Sequence, residues 1–394
     1  MRNVSVDLGV FAQRPVTRGV IQEYVKTSHM KQPYVAFGKG FVKGVCSPDV
    51  SHWRAESMPG WNVDWTVDAF QPVGSEAELQ CEEWVDHPVL VVQRDTFANF
   101  FHDSEDFTNA FLALSILEWT RGDTQVYLTD LYPEGPFWSM WSKVFSGGGG
   151  TRPARTSWDL KVRSGRRTCF RNLAVGIYGP ASPITVASWD TPCRHTALVR
   201  AYADYVARGL GLQGKTHYAS PTPRRTVVIT YMARRASSVW PEKRFCNDTS
   251  SFFECRFWDN FGIRSLGRMI HNERALFDAL KVIEKVSFPN GAVVQVSAVD
   301  YNLMSLEEQI ATDLRTDIMI GPHGAGLMHC VFMPDRAALI ELFVDGSAAN
   351  RHFHNLALWS GHKYHGVPSG NPVDAGSLVA LVKRVVSEMD LNAY

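Results

Sequence analysis

The sequence predicts an α/β protein made of two Rossmann-like halves. Three observations predict it: strands alternate with helices through the second half, a βαβ-like unit sits in the first, and a glycine-rich turn lies between a strand and a helix. Such alternation indicates a parallel sheet covered on both faces, with ligands beyond the carboxyl ends of its strands. Length and composition agree. The chain has 394 residues, enough for two domains, with 45% hydrophobic and 12% aromatic residues to fill their cores. Lys and Arg total 40, as do Asp and Glu, so there is no basic excess to attract a nucleic acid. No apolar run approaches the roughly 18–20 residues of a membrane span.

Residues 1–80 are rich in Gly, Pro and Trp and lack sustained periodicity, which predicts an irregular N-terminal region. Val89–Gln93 then reads as a strand. A helix follows from about Ser104, where Phe107, Ala110, Phe111, Leu114 and Leu117 keep helical spacing. Thr124–Leu128 completes the βαβ-like unit, and Gly147–Gly150 is a loop. Thr196–Leu212 is a further predicted helix, and Ser220-Pro-Thr-Pro223 marks a domain boundary. Beyond it, strands are predicted at Thr226–Tyr231, Ala292–Ser297, Asp317–Ile320, Ala338–Phe343 and Lys363–Gly366. Helices are predicted at Glu273–Val286, Ser305–Leu314, Ala325–Phe332, Asn350–Trp359 and Ala375–Met389. The predicted divisions are an N-terminal region over 1–80 and domains over 81–222 and 223–394.

The most informative stretch is Ile320-Gly-Pro-His-Gly-Ala-Gly-Leu327, after a strand and before a helix. Gly321, Gly324 and Gly326 allow close approach of the backbone to a ligand, and the helix start offers free amides to a diphosphate. The spacing is neither GxGxxG nor GxxxxGK[ST], which excludes the usual dinucleotide and P-loop sites. A tight turn without a ligand is the bland alternative. His323 and His329 weigh against it, since folding does not require two polar rings there. Glu341 is the single acid in an apolar strand and needs a partner: either the hydroxyls of a ribose or a nearby arginine. Met232-Ala-Arg234-Arg235 ends the first strand of this half, where arginines can clamp phosphates.

In the first half, Phe100-Phe-His-Asp-Ser-Glu-Asp106 joins a strand to a helix. His102, Asp103 and Glu105 are candidate general bases, but acids and serines at a helix start also serve as caps. No Asp-x-Asp triplet is present, so a metal-clamped nucleotide-sugar site lacks its usual signature, and no metal is expected. The aromatic side chains of Trp138, Trp141, Trp240 and Trp359 are candidates to line a sugar cleft. Seven cysteines leave at least one unpaired if the rest form disulfides, and none forms a CxxC pair. Sequons at Asn3 and Asn247 permit, without requiring, a secretory route. The chain opens Met1-Arg-Asn with no apolar segment after it, which taken literally is a cytosolic start.

Several longer stretches carry a family resemblance. They include Cys81-Glu-Glu-Trp-Val-Asp-His-Pro88, Gln93–Asp106, Thr230-Tyr-Met-Ala-Arg-Arg-Ala-Ser-Ser-Val-Trp-Pro-Glu242, Gly321–Leu327 and Glu341–Ser347 running on to His354. Over roughly residues 80 to 375 the chain resembles glycosyltransferase family 61, in particular its plant-type N-glycan core β-1,2-xylosyltransferases. The resemblance implies a GT-B fold, two Rossmann-like domains facing across a cleft with the nucleotide sugar on the C-terminal one. It implies UDP-xylose as donor, the core β-mannose of a glycoprotein N-glycan as acceptor, inversion, and no metal. The positions matching the family's donor motifs are Arg234, Arg268 and Asn272, beside the turn residues Gly321, His323, Gly324, Ala325, Gly326 and Leu327, and Glu341. Asp103 is the implied base, with Glu105 and His102 as alternatives. Such enzymes work in the Golgi lumen behind an N-terminal membrane anchor, the one route by which a membrane would enter. Other readings remain: transfer of N-acetylglucosamine or arabinose, a metal-dependent transferase, or a catalytically silent glycan-binding relative.

Overall fold

The computed structural model describes residues 1–8, 39–46, 70–130, 132, 134–147, 151–157, 159, 167–177, 179–186, 191–213, 226–234, 268–344 and 347–391. They form two compact units, Met1–Thr185 and Val186–Tyr394. No helix among the described residues is long and apolar enough to cross a membrane. The sequon at Asn247, Trp240, Arg235, Cys246, Cys255 and the Pro-rich stretch at 220–223 lie outside the described residues.

The first unit contains β1 (Arg2–Asp7), β2 (Val42–Val45), β3 (Phe70–Val73), β4 (Glu83–Val85), β5 (Val89–Val92), α1 (Phe100–Ile116), β6 (Gln125–Leu128) and β7 (Arg167–Val175). Its sheet runs β3-β2-β1-β7-β5-β6, with β4 also pairing with β7. β5 pairs in parallel with β6 and β7, giving the Rossmann-like part. β1 pairs antiparallel with β2 and β7. The sheet is therefore mixed, and the region expected to be irregular supplies three of its strands. The signal was short but present: Val4, Val6 and Leu8 alternate with polar residues and bury their side chains in one core with Phe170 and Leu173. A disulfide between Cys81 and Cys169 ties the segment entering β4 to β7.

The second unit contains α2 (Ala197–Gly209), β8 (Thr226–Met232), α3 (Glu273–Lys281), β9 (Val293–Val299), α4 (Leu306–Asp313) and β10 (Ile318–Pro322). A 3-10 helix (Ala325–Phe332), β11 (Ala338–Phe343), α5 (His352–Trp359), β12 (Lys363–Pro368) and α6 (Ala375–Ser387) follow. The expected strands and helices all appear, shifted by a few residues at their ends. Local chemistry fixes some of these ends: Ser305 and Glu308 form a reciprocal capping box at the start of α4. The sheet is β12-β11-β10-β8-β9, parallel throughout. One face of it packs on α3 and α6 through Val227, Ile229, Ile318, Ile340, Leu276, Leu280, Val382 and Val385.

The units divide earlier than residue 222. α2 belongs with the second unit, because Thr196 N–H donates to Trp359 O at 2.6 Å and Tyr202 packs on Phe332. Trp141 is core, packed against Phe107 and Phe145. Trp359 is buried and donates through its ring N–H to Thr191 Oγ1 at 2.7 Å. Neither ring is open to a sugar.

Candidate functional site

In the second unit, β8 is followed in the chain by β9 on one side, after which the chain crosses to β10 on the other. Numbered within the unit, the order is 2-1-3-4-5, which opens a crevice between the carboxyl ends of β8 and β10. Those two ends carry Arg234 and the turn Gly321–Leu327. The turn fits against Arg234 so closely that a Cβ on Gly324 would lie 2.9 Å from Nη1 of its guanidinium. A Cβ on Gly326 would overlap the Met232 side chain. Arg268 Nη1 donates to the backbone oxygen of His323 at 3.4 Å. Ala325 and Gly326 are half-buried, so the amides opening the 3-10 helix are reachable. Two arginines and a helix start at a switch point can hold a phosphorylated ligand.

Behind this turn the polar groups are interior. Glu341 is 0% exposed; one carboxylate oxygen bonds His323 Nδ1 and the other accepts from Tyr364 Oη at 2.7 Å. The His323 ring stacks on Phe343 and meets Phe353 edge-on. On the other side of the 3-10 helix a similar group recurs: His329 Nδ1 meets Asp313 Oδ2 at 2.5 Å, and Tyr301 Oη donates to Asp313 Oδ1. His329 and Asp313 are sealed in the core. Burial, added to by the neighbouring Asp313 carboxylate, holds the Tyr301 phenol well above its usual range.

In the first unit a cluster lies at the carboxyl ends of β5 and β6. Arg94, fully buried, forms a two-pronged pair with Asp130 at 3.0 and 2.8 Å, bridging the two strand ends. Asp106 accepts from the Asp95 amide at 2.8 Å. α1 begins at Phe100 rather than Ser104, with Asn99 before it, so the acids are not caps. Asp103 instead turns inward, 2% exposed, and Oδ1 accepts from Thr96 Oγ1 at 3.1 Å while Oδ2 has no partner among the described residues. Burial outweighs the nearby Arg94 and pushes the Asp103 carboxyl up to about 8. Burial likewise holds Asp106 well above its usual range.

His102 is the accessible member, its side chain 37% exposed. Its Nδ1 lies 2.9 Å from Glu105 Oε2, and Thr185 Oγ1 donates to Glu105 Oε1 at 2.5 Å. Burial alone would lower the imidazole, but the hydrogen bond and charge of Glu105, with Asp95 and Asp103, raise it above its ordinary value. Ligand atoms of Asp95, His102 and Glu105 lie within 4.8 Å of one another, a set of donors that also suits a divalent cation. The sequence reading did not include Asp95, Arg94 or Asp130. Their signal was position, immediately after two predicted parallel strands.

The expected residues therefore sort unevenly. Arg234, Arg268, Gly321, His323, Gly324, Ala325, Gly326 and Leu327 come together at one turn. Asn272 does not serve it: its side chain both accepts from Val373 N–H at 3.0 Å and donates to Val373 O at 2.8 Å. Glu341 is too deep to meet a ribose, and its partners are a histidine and a tyrosine rather than an arginine. Asp103 is buried and its carboxyl is raised to about 8, so it presents itself to an acceptor less openly than His102 does.

A doubly wound sheet with a phosphate-suited turn at its switch point defines a class of α/β ligand-binding proteins that includes many nucleotide-dependent enzymes. Within that class, residues 256–340, in the second unit, match the family model described as glycosyltransferase 61. The chain is 26% identical over 274 residues to the EGF domain-specific O-linked N-acetylglucosamine transferase of Drosophila melanogaster, covering 67% of this chain and 42% of the relative. It is 25% identical over 342 residues to the protein of the same name from Gallus gallus, covering 81% and 52%. A β-1,2-xylosyltransferase of Arabidopsis thaliana is 23% identical over 312 residues, covering 75% and 54%. The chain spans about half the length of these relatives.

Proposed function

We propose that the chain is a glycosyltransferase that moves a sugar from a UDP-sugar to a glycoprotein acceptor with inversion at the anomeric carbon. The observation that carries this reading is the seating of Arg234 on Gly324 at the β8/β10 switch point, beside the segment that matches the family model. Arg234, Arg268 and the amides of Ala325 and Gly326 stabilise the charge gathering on the departing UDP. His102, held by Glu105, takes the proton from the acceptor hydroxyl as its oxygen bonds to the anomeric carbon and the bond to UDP breaks. His102 fits this step better than Asp103 because it is accessible and has its second ring nitrogen for the transfer.

The sequence motifs favour UDP-xylose and the core β-mannose of an N-glycan. The relatives named for N-acetylglucosamine transfer to EGF domains favour a second donor and acceptor. A panel of UDP-xylose and UDP-N-acetylglucosamine against an N-glycopeptide and an EGF domain separates the two by UDP release and product mass. Donor turnover by none of these pairs, with no UDP binding, would sink the reading. A Golgi-lumenal location goes with it, and the Cys81–Cys169 disulfide supports an oxidising compartment. No metal is needed in this scheme, since His102 Nδ1 is already engaged by Glu105. Turnover should survive a chelator; loss restored by a divalent cation would assign Asp95, His102 and Glu105 as its ligands.

A further inference from the structure

We infer that Glu341 is a positioning residue which, with Tyr364, holds His323 as a diphosphate-binding imidazole. This rests on the nucleotide-sugar reading of the Gly321–Leu327 turn. A carboxylate removed from water needs hydrogen bonds and an opposite charge to be tolerated. Glu341 has two partners, His323 Nδ1 and Tyr364 Oη. A carboxylate only accepts, so Nδ1 carries a proton and turns it toward Glu341. Nε2, on the opposite edge of the ring, is left to donate to a phosphate oxygen.

His323 is placed to use that donor. It stands inside the turn, its carbonyl held by Arg268 and its neighbour Gly324 seated against Arg234. Phe343 and Phe353 fix the ring plane. Among the described residues nothing bonds Nε2, and it is not one of the sealed ring nitrogens that His362 and His365 bury. The second carboxylate–histidine–tyrosine group, Asp313 with His329 and Tyr301, makes the contrast: it is enclosed in the core and only pins the 3-10 helix. A carboxylate behind a histidine orients the ring, as it does for histidines at metal sites.

The test measures affinity for UDP and for uridine in the wild type, Glu341→Gln, His323→Ala and the double variant, with Asp313→Asn as a comparator. Binding of neither ligand to the wild type would overturn the nucleotide-sugar reading itself. If the wild type binds both, Glu341→Gln and His323→Ala should each weaken UDP by about 10- to 100-fold, the size of a charge-assisted hydrogen bond, and leave uridine unchanged. The double variant should lose no more than His323→Ala alone, because Glu341 acts through the ring. Asp313→Asn should change thermal stability without changing the UDP-to-uridine ratio. Equal weakening of UDP and uridine by Glu341→Gln, additive losses in the double variant, or unchanged UDP affinity would each overturn the assignment.

Discussion

The neutral acid at Asp103 makes a distinct demand on pH. Its carboxyl is raised from an ordinary 3.8 to about 8, so the proton, not the charge, belongs to the native state. The sign is the reverse of a salt-bridged aspartate. Its contribution is fully present below the unfolded value and is lost as pH climbs toward about 8, at up to about 1.4 kcal/mol per unit. Asp103→Asn should flatten that fall, so denaturant midpoints of variant and wild type should converge at acid pH and separate at pH ~8 with the variant more stable. His102 gives a kinetic counterpart. His102→Gln should lower kcat by about 10²- to 10⁴-fold with UDP affinity unchanged. Glu105→Gln removes the charge that raises the imidazole, so the acidic limb of the kcat profile should move to lower pH. Sequence located this cluster within five positions but not its roles. Spacing along a chain does not say which carboxylate faces the interior, and Asp103 and Glu105 differ from His102 mainly in that.

At the scale of elements, β8 and the turn after β10 are in close contact. A methyl on Gly326 would meet the terminal methyl of Met232, the movable end of a flexible side chain, so Gly326→Ala should destabilise by about 1 kcal/mol, the low end of the cost of overpacking. Met232→Ala in the same chain should recover part of the loss, which chemical denaturation of the two variants and their combination would read. The strands and helices of the second unit were legible because each is a run of apolar residues with clear turn chemistry at its ends. The edge of the first sheet was not, since β2, β3 and β4 are only 4, 4 and 3 residues long. Periodicity cannot register over so few positions, and pairing with β7 and with one another, rather than propensity, makes them strands. The start of α1 was missed by a turn for another reason: Phe100 and Phe101 are both buried, so the apolar stripe does not begin where the acids suggest a cap.

For the molecule as a whole, the parallel second sheet was readable from alternation, whereas the mixed character of the first sheet depended on pairings remote in sequence. The Cys81–Cys169 bridge closes a loop across a separation of 88 residues. In the chain-entropy view a loop of that size contributes about 4–5 kcal/mol. Replacing both cysteines by serine should therefore lower the melting temperature of the first unit well before the second, and hydrogen exchange resolved by segment would show it. The bridge also has a practical side. Cys193 is exposed and free, Cys46 half-buried and free. A host that makes the protein in a reducing cytoplasm will deliver it unbridged. One that oxidises it risks coupling two molecules through Cys193, so a secreted Cys193→Ser form is the preparation to start from.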